Sequence, residues 1–306
     1  MNGQMNAPVV SVIIATFNRS NILYYSIASV IDQSFNDWEM IVVGDCCTDG
    51  TEDVVGGFED SRIRFINLSS NFGEQSGPNN EGLKSARGRY IAFLNHDDLW
   101  FCDHLEVGLD CMNKSNADLV FAGGIVDHGA GKGLEVTGII NRKTGYHPGA
   151  TFVPASNWIF KRELIDEIGF WKPATALYLI PSLDWQQRVF KKGKSIVTTD
   201  RITVIAVPSS SRKNAYSDRS FLENENYFRQ LNDPGVRADL LNKVIFDWGQ
   251  RYYYDQKIYI RRFFVRLLKK ALAKLGIDTT ELGFRLRFGK GGVIKRYRQR
   301  RGLQAN

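Results

Sequence analysis

Three features of this 306-residue sequence predict an α/β domain with a mostly parallel sheet flanked by helices, carrying a helical C-terminal extension. Short β-branched runs alternate with helix-like segments over the first 126 residues. Polar residues gather where those runs end. Beyond about Asp218 the pattern is helical to the end. A β-α-β-α order implies parallel strands joined by crossover helices, and ligands of such sheets bind outside the carboxyl ends of the strands.

Val9 to Thr16 (VVSVIIAT) has the composition of a strand buried on both faces. Arg19 to Ser34 places Ile22, Leu23, Ile27, Val30 and Ile31 at helical spacing, with Ser20 as its N-cap. Strands are then predicted at Trp38–Gly44, Arg62–Leu68, Arg89–Asn95 and Ala117–Val126. Helices are predicted after Asp49, over Gly77–Ala86 and over Phe101–Lys114. Asp127 to Thr151 is Gly-rich with mixed polarity, a loop or short-hairpin region. Asn157–Ile168 reads as a strand running into a helix, Ser182–Lys192 as a helix, and Ser195–Val207 as a strand or strand pair. The expected units are a body over 1–217, with halves at about 1–126 and 127–217, and an extension over 218–306.

Composition narrows the function. No apolar run approaches the roughly 18 residues of a membrane span, and the N-terminus has no basic start before an apolar stretch, so neither a span nor a secretory leader is expected. The four cysteines (Cys46, Cys47, Cys102, Cys111) form no C-x-x-C pair and fit a reducing compartment, with the cytoplasm as the expected location. The net charge of +7 hides a division: from Arg237 onward there are 18 Lys and Arg against 5 Asp and Glu, so the body is acidic and the extension basic.

Asn95-His96-Asp97-Asp98 directly follows an apolar strand. Adjacent carboxylates repel unless a cation or solvent offsets them. A Mg²⁺ or Mn²⁺ ion that also touches substrate phosphates would do so; capping of the next helix is the alternative reading. Asp45 ends the second strand, at the ligand-binding edge, beside Thr16-Phe17-Asn18. Asp184 is a third lone acid, with a helix-start cap as its ordinary role.

With these residues in view, the first 210 or so positions resemble a family 2 glycosyltransferase of the GT-A, Rossmann-like fold. The likeness rests on five stretches in the family's order: VSVIIATFNR (10–19), SVIDQSFNDWE (29–39), IVVGDCCTDGT (41–51), GRYIAFLNHDD (88–98) and LDWQQR (183–188). It implies that Phe17 packs on a nucleotide base, that Asp45 hydrogen-bonds the base, and that Asn95 and His96 lie beside ribose and diphosphate. It further implies that Asp97, with Asp98 beside it, holds Mn²⁺ or Mg²⁺ and that Asp184 is the catalytic base. Thr16, Asn18 and Asn80 complete the implied donor site; Trp158, Trp171 and Trp185 fall in the half where that family builds its acceptor site, with Trp158 and Trp185 the implied platforms and a place in the core the commoner role of any single Trp. The sequence departs from the family pattern at Gly44, Asn95 and Asn79, losing two acids and one arginine, which bears on nucleotide preference and metal binding. No Q-x-x-R-W element follows Asp184, against a processive synthase.

The resemblance implies an inverting, metal-dependent transfer of one sugar from a nucleotide-diphosphate sugar, UDP-sugar favoured, to a carbohydrate or glycolipid acceptor in cell-surface polysaccharide or glycolipid assembly. A sugar transferase to a polyprenyl phosphate and a non-catalytic nucleotide-sugar-binding module are the alternatives. In the extension, residues 257–275 form an amphipathic helix, with Ile260, Phe264, Leu267, Ala271, Leu272 and Leu275 on one face and Arg261, Arg262, Arg266 and Lys269 on the other. Residues 257–301 read either as a helical region packed on the body or as a foot on the anionic face of a membrane. Nucleic acid is not an expected partner, because no nucleic-acid module accompanies the basic end.

Overall fold

A computed structural model describes residues 7–129, 133–141, 143, 145–148, 151–220, 222–254, 260, 263–265, 267–268, 271–272 and 279–304. Its first four strands are β1 (Val10–Thr16), β2 (Trp38–Gly44), β3 (Ile63–Asn67) and β4 (Tyr90–Phe93), lying in the order β3-β2-β1-β4 and all parallel. Register pairs Val10 with Trp38 and Thr16 with Gly44, so β1 and β2 end level. Side chains alternate across the pleat. Val10, Val12 and Ile14 join one core layer with Leu23 and Ile27 of helix α1 (Ser20–Ile31), while Ile13 joins the other with Leu83 of α3 (Ser76–Ser85). α3 comes close to the sheet at Gly82, where a Cβ would lie 2.4 Å from Ile13 Cγ2.

Helix α2 (Thr51–Gly56) links β2 to β3. Ser20 is the first helical residue of α1 rather than its cap, and its N–H donates to Asp49 Oδ2 at 3.1 Å. Asp49 also accepts from the N–H of Thr51 at 3.2 Å, while Gly50 takes the N-cap position of α2.

The rest of the sheet comprises β5 (Asp98–Trp100), β6 (Leu119–Asp127), β7 (Leu134–Thr137), β8 (Trp158–Lys161) and β9 (Ile196–Ala206). The full order is β3-β2-β1-β4-β8-β6-β9-β5, with β7 on β6. The sheet is parallel through its N-terminal half and mixed beyond: β8 runs antiparallel to both β4 and β6, and β5 antiparallel to β9. The expected strand or strand pair at 195–207 is the single strand β9. The short β5 falls where a loop was read.

β4 and β5 stand four positions apart in the sheet order, yet Leu94–Asp97 alone connect them. Four interstrand spacings of about 4.8 Å exceed what five Cα steps of about 3.5 Å can span. The sheet must therefore curl, and the Asn95–Asp97 turn crosses the concave edge that results.

Helix α4 (His104–Ser115) starts later than expected, so neither Asp97 nor Asp98 caps it. Helices α5 (Leu164–Ile168) and α6 (Pro181–Lys191) match the sequence reading. Helices α7 (Glu223–Gln230) and α8 (Val236–Tyr254) follow. Leu231, Val236, Leu240 and Val244 share a core with Leu99, Phe101, Ile125 and Ile202, so this part of the basic extension is built onto the body. Further helices cover Thr279–Arg287 and Gly292–Arg300. Much of the amphipathic helix expected over 257–275, including Arg261, Arg262, Arg266 and Lys269, lies outside the described residues.

One buried charge ties this framework together. Glu39 Oε1 accepts from Ser11 Oγ and from the N–H of Arg87, each at 2.7 Å, and Oε2 lies 2.8 Å from Arg87 Nη2 and 3.2 Å from Arg64. Burial pushes the Glu39 carboxyl up, but the Arg87 and Ser11 hydrogen bonds outweigh it and hold the group below its ordinary range. Such a lowered carboxylate contributes stability above its unfolded pKa and loses it as pH falls through the folded one. Glu39→Gln should cost about 1–3 kcal/mol near neutral pH, and the gap from wild type should close as pH drops below 4 in urea titrations. A gap that stays constant with pH would contradict the assignment.

Candidate active site

Two loops with left-handed residues build the floor of the concave edge. Asn18 follows β1 at φ 47° and Cys46 follows β2 at φ 61°. Asn18 Oδ1 accepts from the N–H of Thr48 at 2.8 Å, and Asn18 Nδ2 donates to Thr48 Oγ1 at 3.2 Å. Asn18 thus clamps the β1 and β2 loops together. The N–H of Asp45 donates to Thr16 O at 2.8 Å, setting Asp45 directly beside the end of β1.

Asp45 is buried and anchors a neighbouring turn. Its Oδ1 accepts from the N–H of Phe72 at 2.7 Å and its Oδ2 from that of Gly73 at 2.9 Å. Burial raises its pKa, with those two N–H groups and Arg298 opposing. Gly73 has φ +78°, and a Cβ there would lie 2.8 Å from Arg298 Nη1. Glu74, to which the sequence reading gave no role, sits next to this turn. Burial raises its pKa too, and Asp45 adds to the rise.

The Asn95–Asp98 segment is held from several sides. Ser26 Oγ on α1 bonds to the carbonyls of His96 at 2.9 Å and Asp98 at 2.8 Å, and Asn224 Nδ2 donates to the carbonyl of Asp97 at 2.8 Å. The two aspartates then part roles. Asp98 Oδ2 accepts from Ser156 Oγ at 2.5 Å and Asn95 Nδ2 at 2.8 Å, and Oδ1 from the N–H of Val207 at 2.9 Å. Burial first, and then the charge of Asp97, push Asp98 up to about 7. Asp98, expected as a metal ligand beside Asp97, is instead consumed by protein donors. Asn95 is engaged on the same carboxylate.

Asp97 Oδ2 accepts from the N–H of Ser209 at 2.7 Å. Burial opposes its charge, but His96, Ser209 and Arg301 hold it below the usual carboxylate range. His96 Nδ1 lies 3.1 Å from Ala15 O, a carbonyl that can only accept, so Nδ1 carries the hydrogen and Nε2 is a free acceptor. Burial lowers the His96 pKa, with the charge of Asp97 opposing. Its Nε2 is buried without a hydrogen-bond partner, as is Thr16 Oγ1.

Tyr216 lies over this cluster. Its ring centroid is 6.1 Å from that of Phe17 and 6.3 Å from that of His96, and the Arg19 guanidinium lies 5.3 Å from it. Tyr216 and the arginines around it escaped the sequence reading, since Arg19 was seen only as a motif letter and Tyr216 lies in a stretch without periodicity.

The other expected residues have partners of their own. Both ends of the Asn80 amide bind the backbone of Trp171, at 2.9 Å each, tying α3 to the segment before α6. Asp184 lies in the first turn of α6, where its Oδ2 accepts from Arg188 Nε at 2.8 Å. Trp158 and Trp185, expected to face an acceptor, are each 0% exposed and stack on one another at 5.5 Å within the core, so neither offers a face to a sugar. The signal that misled was aromatic residue type, which large core side chains share.

For a divalent ion, the described residues contain no group of three or more His, Cys, Asp or Glu able to hold one. With Asp98 engaged, Asp97 is the carboxylate left for an ion whose remaining ligands come from donor phosphates, an arrangement Mg²⁺ and Mn²⁺ sites commonly use.

A family model described as glycosyl transferase family 2 matches residues 11–169. The chain is 42% identical over 118 residues to the putative teichuronic acid biosynthesis glycosyltransferase TuaG of Bacillus subtilis, covering 38% of this chain and 46% of that protein. It is 36% identical over 117 residues to the Escherichia coli UDP-Glc:alpha-D-GlcNAc-diphosphoundecaprenol beta-1,3-glucosyltransferase WfgD, covering 38% and 46%. It is 33% identical over 175 residues to the Campylobacter jejuni GalNAc(5)-diNAcBac-PP-undecaprenol beta-1,3-glucosyltransferase, covering 53% and 55%. The chain thus spans about half the length of these curated relatives. Among solved structures, S. aureus TarS residues 1–349 with UDP-GlcNAc superposes with a TM-score of 0.57 at 18% identity, covering 80% of this chain and 73% of that one. The mannosyltransferase PcManGT from Pyrobaculum calidifontis, with GDP-Man and Mn²⁺, gives 0.53 at 15%, covering 92% and 87%. With the family matched over more than half of its residues and this fold shared with solved glycosyltransferases, the chain belongs to glycosyl transferase family 2 and has its GT-A α/β fold.

Proposed function

We propose that the chain transfers one sugar from a nucleoside-diphosphate sugar, UDP-linked, to a hydroxyl of a saccharide carried on a lipid diphosphate, with inversion at the anomeric carbon, in cell-surface glycan assembly. The observation that carries this reading is the meeting of Phe17, Asp45, His96 and Asp97 at one carboxyl edge, within the family-matched residues. The acceptor class follows the names of the Escherichia coli and Campylobacter relatives, whose acceptors are undecaprenyl-diphosphate-linked saccharides. A saccharide acceptor is therefore favoured over a bare polyprenyl phosphate.

The chemistry follows from charge. Phe17 offers an aromatic face to a base, and Asp45 lies beside it as a hydrogen-bond acceptor. The buried His96 Nε2 suits a hydroxyl of the ribose or the sugar, being an acceptor. A divalent ion bound at Asp97 and the diphosphate would act as Lewis acid and template for the leaving group. An acceptor hydroxyl is a poor nucleophile near neutral pH, so Asp184 takes its proton as the new carbon–oxygen bond forms. The bond from the anomeric carbon to the diphosphate oxygen breaks on the opposite face. Holding donor and acceptor in line supplies much of the remaining acceleration.

The acceptor's lipid implies a membrane. No described helix is long and apolar enough to cross one. α8 instead buries Val236, Leu240 and Val244 against the body and exposes Ile245 at 63% and Phe246 at 67%. Phe263, Phe264 and Leu268 are exposed further on. We propose that this apolar surface, with the basic residues around it, seats the chain on an anionic leaflet.

Asp184→Asn should lower transfer by about 10²- to 10⁴-fold while leaving donor affinity within twofold by calorimetry; near-normal turnover would remove Asp184 from the base role. Asp97→Ala should abolish the Mn²⁺-dependent part of donor binding, whereas Asp98→Asn should preserve it. Equal loss of that part in both variants would restore Asp98 as a ligand. Ile245→Glu with Phe246→Glu should reduce cosedimentation with phosphatidylglycerol vesicles several-fold, and unchanged cosedimentation would move the contact elsewhere.

A further inference from the structure

The last helix, Gly292–Arg300, does not stand apart as a tail. Arg298 is 8% exposed, and its Nη1 donates to Gly73 O at 2.7 Å, on the turn that Asp45 anchors. Its Nε donates to Gln304 O at 2.9 Å, fastening the chain end to the same place. At the other end of the cluster, the N–H of Asn214 donates to Arg300 O at 2.8 Å and that of Tyr216 to Arg301 O at 3.1 Å. The turn that follows needs a glycine: Gly302 has φ +83°, and a Cβ there would lie 2.9 Å from Ser217 Oγ. The C-terminal segment thus bridges the Asp45 turn and the Tyr216 loop.

This docking brings a guanidinium to the cluster. Arg301 acts electrostatically on His96, Asp97 and Tyr216, and Arg19 acts on Asp97 and Tyr216. Arg19 is 3% exposed; it donates one N–H to Ala215 O and lies against the Tyr216 ring. The Nε atoms of both Arg19 and Arg301 are buried without a hydrogen-bond partner. Neither side chain forms an ion pair among the described residues, whereas the buried Arg212 is paired with Glu223 at 3.0 Å and Arg237 with Asp103 at 2.7 Å. A buried charge costs free energy unless it is paired. Arg19 is thus a buried guanidinium without an ion pair, and Arg301, half-buried with its backbone on the Tyr216 loop, adds a second positive charge acting on Asp97. Arginine's planar fork matches phosphate oxygens two at a time.

We infer that Arg19 and Arg301 form a cationic clamp for the diphosphate of a nucleoside-diphosphate ligand, with Arg301 delivered by the C-terminal helix. Tyr216 backs the clamp, and Arg298 is a positioning residue that holds the Asp45 turn against the helix. The inference rests on the donor-site reading above. It gives the basic C-terminus a role in binding the leaving group, in addition to any metal on Asp97.

The test is calorimetry on the full-length chain with UDP, GDP, uridine and guanosine, in EDTA and again with Mn²⁺. Wild type should bind one diphosphate more tightly than its nucleoside, already in EDTA. Arg301→Gln should weaken the diphosphate roughly 10- to 100-fold, as expected on losing charge-assisted hydrogen bonds, and change the nucleoside less than twofold. Arg301→Lys, which keeps the charge and loses the fork, should fall between, and it decides the matter if Arg301→Gln melts well below wild type. Equal losses on diphosphate and nucleoside, or no loss on either, would overturn the clamp and leave the donor site standing. Tighter binding by Arg301→Gln would also overturn it, marking the segment as a plug. Wild type that binds none of the four would overturn the donor-site reading as well.

Discussion

The four-residue link between β4 and β5 is the constraint on which the site depends. It is too short to cross a flat sheet of this strand order, so the sheet curls and the link crosses the concave edge that results. The curl places two consecutive aspartates in a buried position. Two ionised carboxylates cannot share such a place cheaply, and the fold separates their roles. Asp98 is surrounded by Ser156, Asn95 and the Val207 N–H and pushed toward its protonated form, so that it ties together the link after β4, the turn before β8 and the residue after β9. Asp97 is held below the usual carboxylate range by His96, the Ser209 N–H and Arg301. One residue of the pair is structural, and the other is left for chemistry.

Charge in the rest of the molecule is arranged around that outcome. The sequence divides into an acidic body and a basic extension, and the fold brings the extension's last basic residues back onto the body's acids. Arg298 reaches the turn held by Asp45, and Arg301 reaches the surroundings of Asp97. The apolar residues of α8 are divided in a similar way, half joining the core with β5 and β9 and half exposed. The basic extension therefore serves two surfaces at once: its end closes over the concave edge, and its middle presents apolar groups outward.

Much of this was legible in the sequence, and the reasons differ by element. β1 and β2 are rich in β-branched residues and β4 is an apolar run, all buried on both faces, which local composition reports well. The acids at their ends stand out because little else explains a carboxylate at a strand terminus. The short strand β5 was missed because three residues carry no periodicity, and the mixed half of the sheet because strand direction follows from connections rather than composition. Asp98 was misread because its partners, Ser156 and Val207, come from far along the chain. Trp158 and Trp185 stood between core and sugar platform because an aromatic side chain looks alike in both. Arg301 was read only as one basic residue of the 257–301 region, since its backbone contact with Tyr216 joins residues distant in sequence, which no local pattern encodes.

Hydrogen–deuterium exchange with and without the bound nucleoside diphosphate tests the central claim most directly, because it locates the ligand without altering any residue. Protection should rise together in four stretches: 16–18, 71–75, 95–98 and 209–217, with the backbone around Arg298 to Leu303 following them. The competing location is the hollow of about 650 Å³ at the opposite edge of the sheet, lined by Val9, Arg87, Arg89 and Arg162. Protection concentrated there, with the Phe72–Gly73 and Ser209–Tyr216 amides unchanged, would contradict the account.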